Sequence, residues 1–297
     1  MEKIFVSKNE SADYNTIQSA IDSVRVFPLE EVTIYVANGV YQEKITIPEN
    51  KPNIHIIGES SENTIVSFDD YAEKVDSIGK KLGTFRTATA MIHANDFTLR
   101  NITIRNSAGY GKEIGQAVAL YLSGDRCRVY NARLLGNQDT LYTSQGRQFF
   151  SGCYVEGHVD FIFGAATAVF KDCEIHSLRE GYITAASTPE NQKYGFIFFN
   201  CKLTGSAKER TVYLGRPWRP YAHTLFINCS MESHIKLEGW DNWRNPENEQ
   251  TARYGEYQSF GVGFSGDKRV DWAKQLTRAD INKITEIFHV SDEWIPE

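Results

Sequence analysis

One short template recurs through the middle of this 297-residue chain and limits what it can fold into. It reads apolar, any, Asn/Gly/Asp, small or apolar, any, apolar. The copies are Leu99-Arg100-Asn101-Ile102-Thr103-Ile104, Val129-Tyr130-Asn131-Ala132-Arg133-Leu134 and Phe150-Ser151-Gly152-Cys153-Tyr154-Val155. Three more follow: Phe170-Lys171-Asp172-Cys173-Glu174-Ile175, Phe198-Phe199-Asn200-Cys201-Lys202-Leu203 and Phe226-Ile227-Asn228-Cys229-Ser230-Met231. Successive Asn/Gly/Asp positions lie 30, 21, 20, 28 and 28 residues apart. Short β-rich units at that spacing, with no helix-length pattern between them, predict a solenoid of β coils that stack into parallel sheets. The Asn/Gly/Asp slot suits a tight bend, because these residues tolerate left-handed backbone.

Cysteine usage agrees with stacked coils. Four of the five cysteines, Cys153, Cys173, Cys201 and Cys229, share the slot that Ile102 and Ala132 hold in other copies. A slot open to Cys, Ile and Ala is a core position, where a free thiol acts as a small hydrophobe. Cys127 makes the count odd, and no CxxC or HxxxH pair occurs, so neither a disulfide framework nor a metal site is expected.

A hydrophobic content of 41% over this length supports a large core, and the repeat through the middle argues for one domain spanning residues 1–297. The solenoid is expected from about residue 30 to 265, with a helical tail over about 266–297. Asp13 to Val24 places Ile17, Ala20, Ile21 and Val24 at helical spacing, a short helix to cap the open end. A second helical piece is expected over Arg278 to Phe288, with Ile281, Ile284 and Ile287/Phe288 on one face. Ile4-Phe5-Val6, Val32 to Val36, Ile45 to Ile47, Ile54 to Ile57 and Thr64 to Val66 read as strands. His55 alternates with Ile and is expected as an exposed strand residue rather than a ligand. Asp69 to Thr89 is polar and poorly periodic, a long loop of the kind that often serves a site.

A net charge of −6 without a basic block argues against a nucleic-acid partner. Met1 to Glu10 has no long apolar run, so neither a signal peptide nor a membrane span is expected. No cofactor is expected.

Two aspartates sit in apolar or aromatic frames, in Gln138-Asp139-Thr140-Leu141 and Val159-Asp160-Phe161-Ile162-Phe163-Gly164. A carboxylate in such a frame needs a partner. Gln116, the Gln138-Asp139 pair and Asp160 are separated by 22, 1 and 21 residues. Coils of that length would set them on three successive turns, with adjacent strands about 4.7–4.9 Å apart. The alternative is a bend aspartate in each coil. If the two carboxylates are close neighbours, they cannot easily both ionise, so one becomes an acid and the other a nucleophile. Arg216, 56 residues after Asp160, is the expected cation, placed two coils of 28 away. The small residues Ala185 to Thr188 would let its guanidinium reach across. It should lower the Asp160 pKa, while that of Asp139 rises. Trp218 offers a flat face for a sugar, and Phe163, Trp240 and Trp243 are further candidates for stacking or for the core. Thr84 reads as a turn residue or a cleft residue.

These blocks together resemble those of the pectin methylesterase (pectinesterase) family. The matching segments are Gly39-Val40-Tyr41-Gln42-Glu43, Gln116-Ala117-Val118-Ala119-Leu120, Gln138-Asp139-Thr140-Leu141, Asp160-Phe161-Ile162-Phe163-Gly164, Leu214-Gly215-Arg216-Pro217-Trp218 and Tyr254-Gly255-Glu256-Tyr257. The resemblance runs from about Asp13 to Gly263 and implies an all-β fold, a single-stranded right-handed parallel β-helix. It implies hydrolysis of the methyl esters of homogalacturonan, with Asp160 as nucleophile and Asp139 as proton donor. Gln116 and Gln138 would hold the oxyanion and Arg216 would orient Asp160. Thr84, Gln116, Phe163, Arg216 and Trp218 would contact the polysaccharide. It further implies work outside the cell or in a periplasm, while the lack of a leader also allows the cytoplasm; a monomer is expected, with no inhibitory pro-domain before the catalytic region. A glycoside hydrolase, a non-catalytic binder of acidic polysaccharide and an esterase for another ester remain open at this stage.

Overall fold

The structure is a computed structural model, and it describes residues 2–8 and 11–285. The repeat folds as its bend slot requires. Asn101, Asn131, Gly152, Asp172, Asn200 and Asn228 all have positive φ, between 47° and 62°. A short strand enters each bend and another leaves it, so every copy of the template is one corner of a coil. The strand pairs are all parallel. The architecture is the expected parallel β-helix, right-handed as parallel crossovers are.

One sheet has 11 strands and runs from Glu2–Val6 to Lys274–Gln275. The other two faces merge, because the long strands Tyr154–Gly164 and Glu174–Ala186 pair along both. The residue after each bend points inward. Ile102, Ala132, Cys153, Cys173, Cys201 and Cys229 are all at most 2% exposed, and the five cysteines are free. Cys127 is buried as well, and burial pushes its thiol up to about 12. The first template position builds a second column. The rings of Phe150, Phe170, Phe198 and Phe226 stack at successive centroid distances of 4.5 Å, nearly parallel. Identical side chains at identical coil positions thus give the core its register.

The amino-terminal helix is Ile17–Ser23, shorter than the expected Asp13 to Val24, and it buries Ile17, Ala20 and Ile21 against the open end of the solenoid. Glu43 caps it. Its carboxylate accepts from the Ile17 and Gln18 N–H groups, both at 2.9 Å. These are two of the donors a helix start leaves without partners. The carboxy-terminal helix covers Arg278–Thr285 and buries Ile281 and Ile284; Ile287 and Phe288 lie outside the described residues. A single helical turn at Asn248–Thr251 was not foreseen; Asn248 donates to the Asn242 carbonyl at 3.0 Å and Asn242 donates to Glu249 at 2.7 Å, which ties the turn to the segment that carries Trp243. His55 alternates with buried neighbours along its strand but is half-buried rather than exposed, because the adjoining strands cover its ring. Among the described residues, no helix is long and apolar enough to cross a membrane.

Candidate active site

Asp139 and Asp160 are both bend residues and cleft residues, so the two alternatives for them hold together. Each adopts left-handed backbone, with φ of 63° and 51°. Few non-glycine residues other than Asn and Asp accept that conformation, and it turns the side chain out of the sheet. Leu141 pairs with Ile162 across the sheet, so the two aspartates, each two residues upstream, occupy matching positions on successive coils. The Asp139 N–H donates to the Val159 carbonyl at 3.1 Å, and the Ala117 N–H donates to the Gln138 carbonyl at 3.1 Å. The spacing of 22, 1 and 21 therefore marks three adjacent turns. Gln116 itself precedes its strand, Leu120–Leu122, rather than heading it.

Gly164 ends the second motif for a steric reason. Its φ is 128°, and a Cβ there would come within 2.0 Å of the Thr143 carbonyl oxygen on the neighbouring coil. No other residue fits that approach.

Arg216 sits two coils beyond Asp160. In register it aligns with Ala185 and, one coil further back, with Phe163. The two steps are therefore 22 and 31 residues rather than two of 28, and the guanidinium reaches back along the sheet over Ala185 to meet the carboxylate. It does so as a fork: Nε donates to Asp160 Oδ1 at 2.8 Å and Nη2 to Oδ2 at 2.6 Å. Both partners are largely buried, at 18% and 9% side-chain exposure.

The expectation of a lowered Asp160 pKa is overturned. Burial raises it above the ordinary carboxylate value, and the opposing pull of Arg216 only partly offsets this, with Asp241 adding a smaller repulsion. Asp139 is raised further, by burial first and then by the Asp160 charge, while Arg216 is a weaker opposing influence. The expected order survives: Asp160 ionises first, and Asp139 holds its proton.

Thr84, Phe85, Gln116, Gln138, Asp139, Asp160, Phe163, Ala185, Arg216, Trp218 and Trp243 line one cleft of about 340 Å³. All eight expected site residues are among them. The Asp69 to Thr89 loop delivers Thr84 and Phe85 on a 3₁₀ turn, Thr84–Arg86. The loop's root is held by Asp70, which pairs with Lys44 at 2.7 Å and Lys74 at 2.8 Å. Among the described residues the side-chain amides of Gln116 and Gln138 make no hydrogen bond, so their N–H groups are open to the cleft. Gln138 also borders a larger groove of about 870 Å³, with Tyr110, Lys112, Arg179 and Lys208 on its walls.

Trp240 is not a cleft residue. It is 1% exposed and stacks on Tyr254 at 4.2 Å in the core. Trp243 is in the cleft, where its ring centroid lies 3.7 Å from the Arg216 guanidinium carbon. Tyr182 faces that carbon from the other side at 3.8 Å and was missed. Its signal was partial: it lies 22 residues after Asp160, about one coil length, but the sheet register sets it beside Val159.

Comparison with known proteins agrees with this geometry. The pectinesterase family profile matches residues 3–292. Pectinesterase 31 of Arabidopsis thaliana is 40% identical over 278 residues, covering 91% of this chain and 86% of that protein. A pectin methylesterase solved in complex with a hexasaccharide superposes with a TM-score of 0.89 at 34% identity, covering 100% of this chain and 99% of that one. The carrot pectin methylesterase gives 0.87 at 31% identity, covering 95% and 90%. A profile match across nearly the whole chain, with relatives above 30% identity at that coverage, establishes that the chain belongs to the pectinesterase family.

Proposed function

We propose that this protein hydrolyses methyl esters of galacturonate units in pectin, releasing methanol and leaving a free carboxylate. One observation carries the mechanistic reading: of two aspartates on successive coils, only Asp160 is held by a guanidinium fork. That arrangement supports a division of roles. The Asp160 carboxylate attacks the ester carbonyl carbon, and the electron pair moves to the carbonyl oxygen. Gln116 and Gln138 donate N–H groups to this oxyanion, a contribution typically about 10²–10³ in rate per donor. The oxyanion collapses, the C–O bond to methoxide breaks, and Asp139 supplies the proton that makes methanol. A mixed anhydride between Asp160 and the galacturonate remains. Water, giving its proton to Asp139, then attacks that anhydride, which restores both aspartates and frees the acid.

Arg216 keeps Asp160 charged and oriented through this cycle. Thr84 and Trp218 contact the sugar units, the flat face of Trp218 suiting a pyranose ring, while Phe163, 3% exposed and stacked on Tyr142, meets the substrate only at the cleft floor. The adjoining groove beside Gln138 gives a polymer room to extend. The substrate lies in plant cell walls, so this reading sets the site of action outside the cytoplasm. The working unit is proposed to be a monomer, since one chain supplies every residue of the cleft.

The test is methanol release from highly methylated pectin, with new reducing ends counted in parallel. Methanol without new ends supports the esterase. New ends without methanol would identify a glycoside hydrolase, which has no use for paired amide donors beside an Arg-bound carboxylate. Neither product would leave a binding protein.

A further inference from the structure

We infer that Tyr182 is a positioning residue: its ring, opposed by Trp243, fixes the plane of the Arg216 guanidinium so that its fork meets Asp160. The inference rests on the role proposed above for Asp160. Tyr182 lies in the strand Glu174–Ala186, in register with Val159 one coil back and Tyr213 one coil forward. The Tyr182 and Tyr213 rings stack at 5.3 Å and 7°. The guanidinium carbon of Arg216 lies 3.8 Å from the Tyr182 centroid and 3.7 Å from the Trp243 ring. At those distances the cation is sandwiched between two π-faces.

The geometry has a directional consequence. A guanidinium donates only in its own plane. With both faces covered, its donors can point only along the slot between the rings, and Asp160 occupies one end of that slot. Arginine otherwise loses rotamer freedom when it binds, and the sandwich removes that freedom before substrate arrives. Trp243 is held for this task. Its backbone N–H donates to Asp241 Oδ1 at 2.7 Å, and its φ is 58°. Tyr182 is braced from below by Tyr213, which does not itself reach the guanidinium. The phenol of Tyr182 acts through its ring alone; burial raises its pKa, so it stays neutral.

The groups that face Asp160 are Arg216, Asp139 and Asp241, with the phenols of Tyr182 and Tyr254 nearby. Loosening Arg216 removes the one cation among them. The pH at which Asp160 ionises should then rise.

The experiment uses the full chain and methanol release from pectin. Tyr182→Leu and Tyr182→Gln both delete the ring. Each should lower kcat by about 10–10²-fold, the usual penalty for small misplacement of a reacting group. KM should stay within about twofold, because the lost interaction serves the transition state. The acid limb of the kcat–pH profile should move upward. Tyr182→Phe should restore both kcat and the limb. Tyr213→Leu should be milder than either ringless variant. Wild-type kcat and acid limb in a folded ringless variant would overturn the inference. So would a Tyr182→Phe as poor as Leu, or a Tyr213→Leu equally poor. Failure of both ringless variants to fold would assign the ring to packing and overturn it too. Asp160→Asn run alongside separates the levels: if it stays active, the parent reading has failed, and if only the Tyr182 variants behave as wild type, this inference alone has.

Discussion

At the scale of residues, the two aspartates differ through their neighbours rather than their type. Asp160 is held by a guanidinium fork, whereas Asp139 meets burial and a like charge with only a weaker, unbonded pull from Arg216. The proposed mechanism needs Asp160 ionised and Asp139 protonated, so the kcat–pH profile should be bell-shaped. Its acid limb should lie above the ordinary carboxylate value, because burial of Asp160 outweighs the pull of Arg216. A profile that stays flat down to the range of free aspartate would contradict this. The raised Asp139 pKa has a second consequence. The folded state binds that proton more tightly than the unfolded chain does. Its contribution to stability is therefore full below the unfolded pKa and is lost as pH rises towards the folded one. Asp139→Asn, which is neutral at every pH and tolerates left-handed backbone, should melt above wild type at neutral pH, and the gap should close in acid. Arg216→Lys should cost activity heavily, since an ammonium offers neither the fork nor the flat face that Tyr182 and Trp243 enclose. Steady-state kinetics at saturating pectin would show this as a fall in kcat.

At the scale of elements, the bend is the unit on which both stability and chemistry depend. Asn200 is exposed, has φ of 52° and needs no side-chain partner. Asn200→Ala should destabilise by about 1–2 kcal/mol, the cost of left-handed backbone for an ordinary residue, while Asn200→Gly should be nearly neutral. Denaturant titration would read the difference; equal losses would show that the side chain, not the backbone, matters there. The inward column makes a separate prediction. All five thiols are free and buried, so the native protein should resist a thiol reagent, unfolding should release five, and reductant should leave the melting temperature unchanged. These features were legible because a coil repeats: Cys153, Cys173, Cys201 and Cys229 announce one slot by recurring in it. The helix at Asn248–Thr251 was not, since four residues in a polar loop carry no periodicity. Motif blocks also conceal purely structural parts. Glu43 caps a helix, and Glu256 pairs with Arg269 at 2.6 Å in the core, where both side chains are at most 2% exposed.

At the scale of the whole molecule, the solenoid turns positions far apart in sequence into neighbours across one cleft. Asp139, Asp160 and Arg216 came from the sequence through coil spacing, because the repeat converts residue number into height along the axis. What spacing could not supply was the direction of a long side chain. It set Arg216 two coils away but not in line with Phe163, and it did not separate Trp240, in the core, from Trp243, over the guanidinium. Nor could it weigh burial against a cation, which is why the Asp160 pKa came out with the wrong sign. The solenoid also predicts how the molecule fails: a ring removed from the Phe column, as in Phe198→Ala, should cost about 3–5 kcal/mol because rigid coils above and below cannot close the gap. The central claim is that two aspartates on adjacent turns divide one ester hydrolysis between them. It is tested most directly by methanol release from methylated pectin by folded Asp160→Asn and Asp139→Asn, each also assayed on an activated ester whose leaving group needs no proton. The account predicts no turnover for Asp160→Asn on either substrate. For Asp139→Asn it predicts a loss of about 10²–10⁴ on pectin that shrinks on the activated ester. Substantial methanol from Asp160→Asn, or wild-type release from Asp139→Asn, would contradict it.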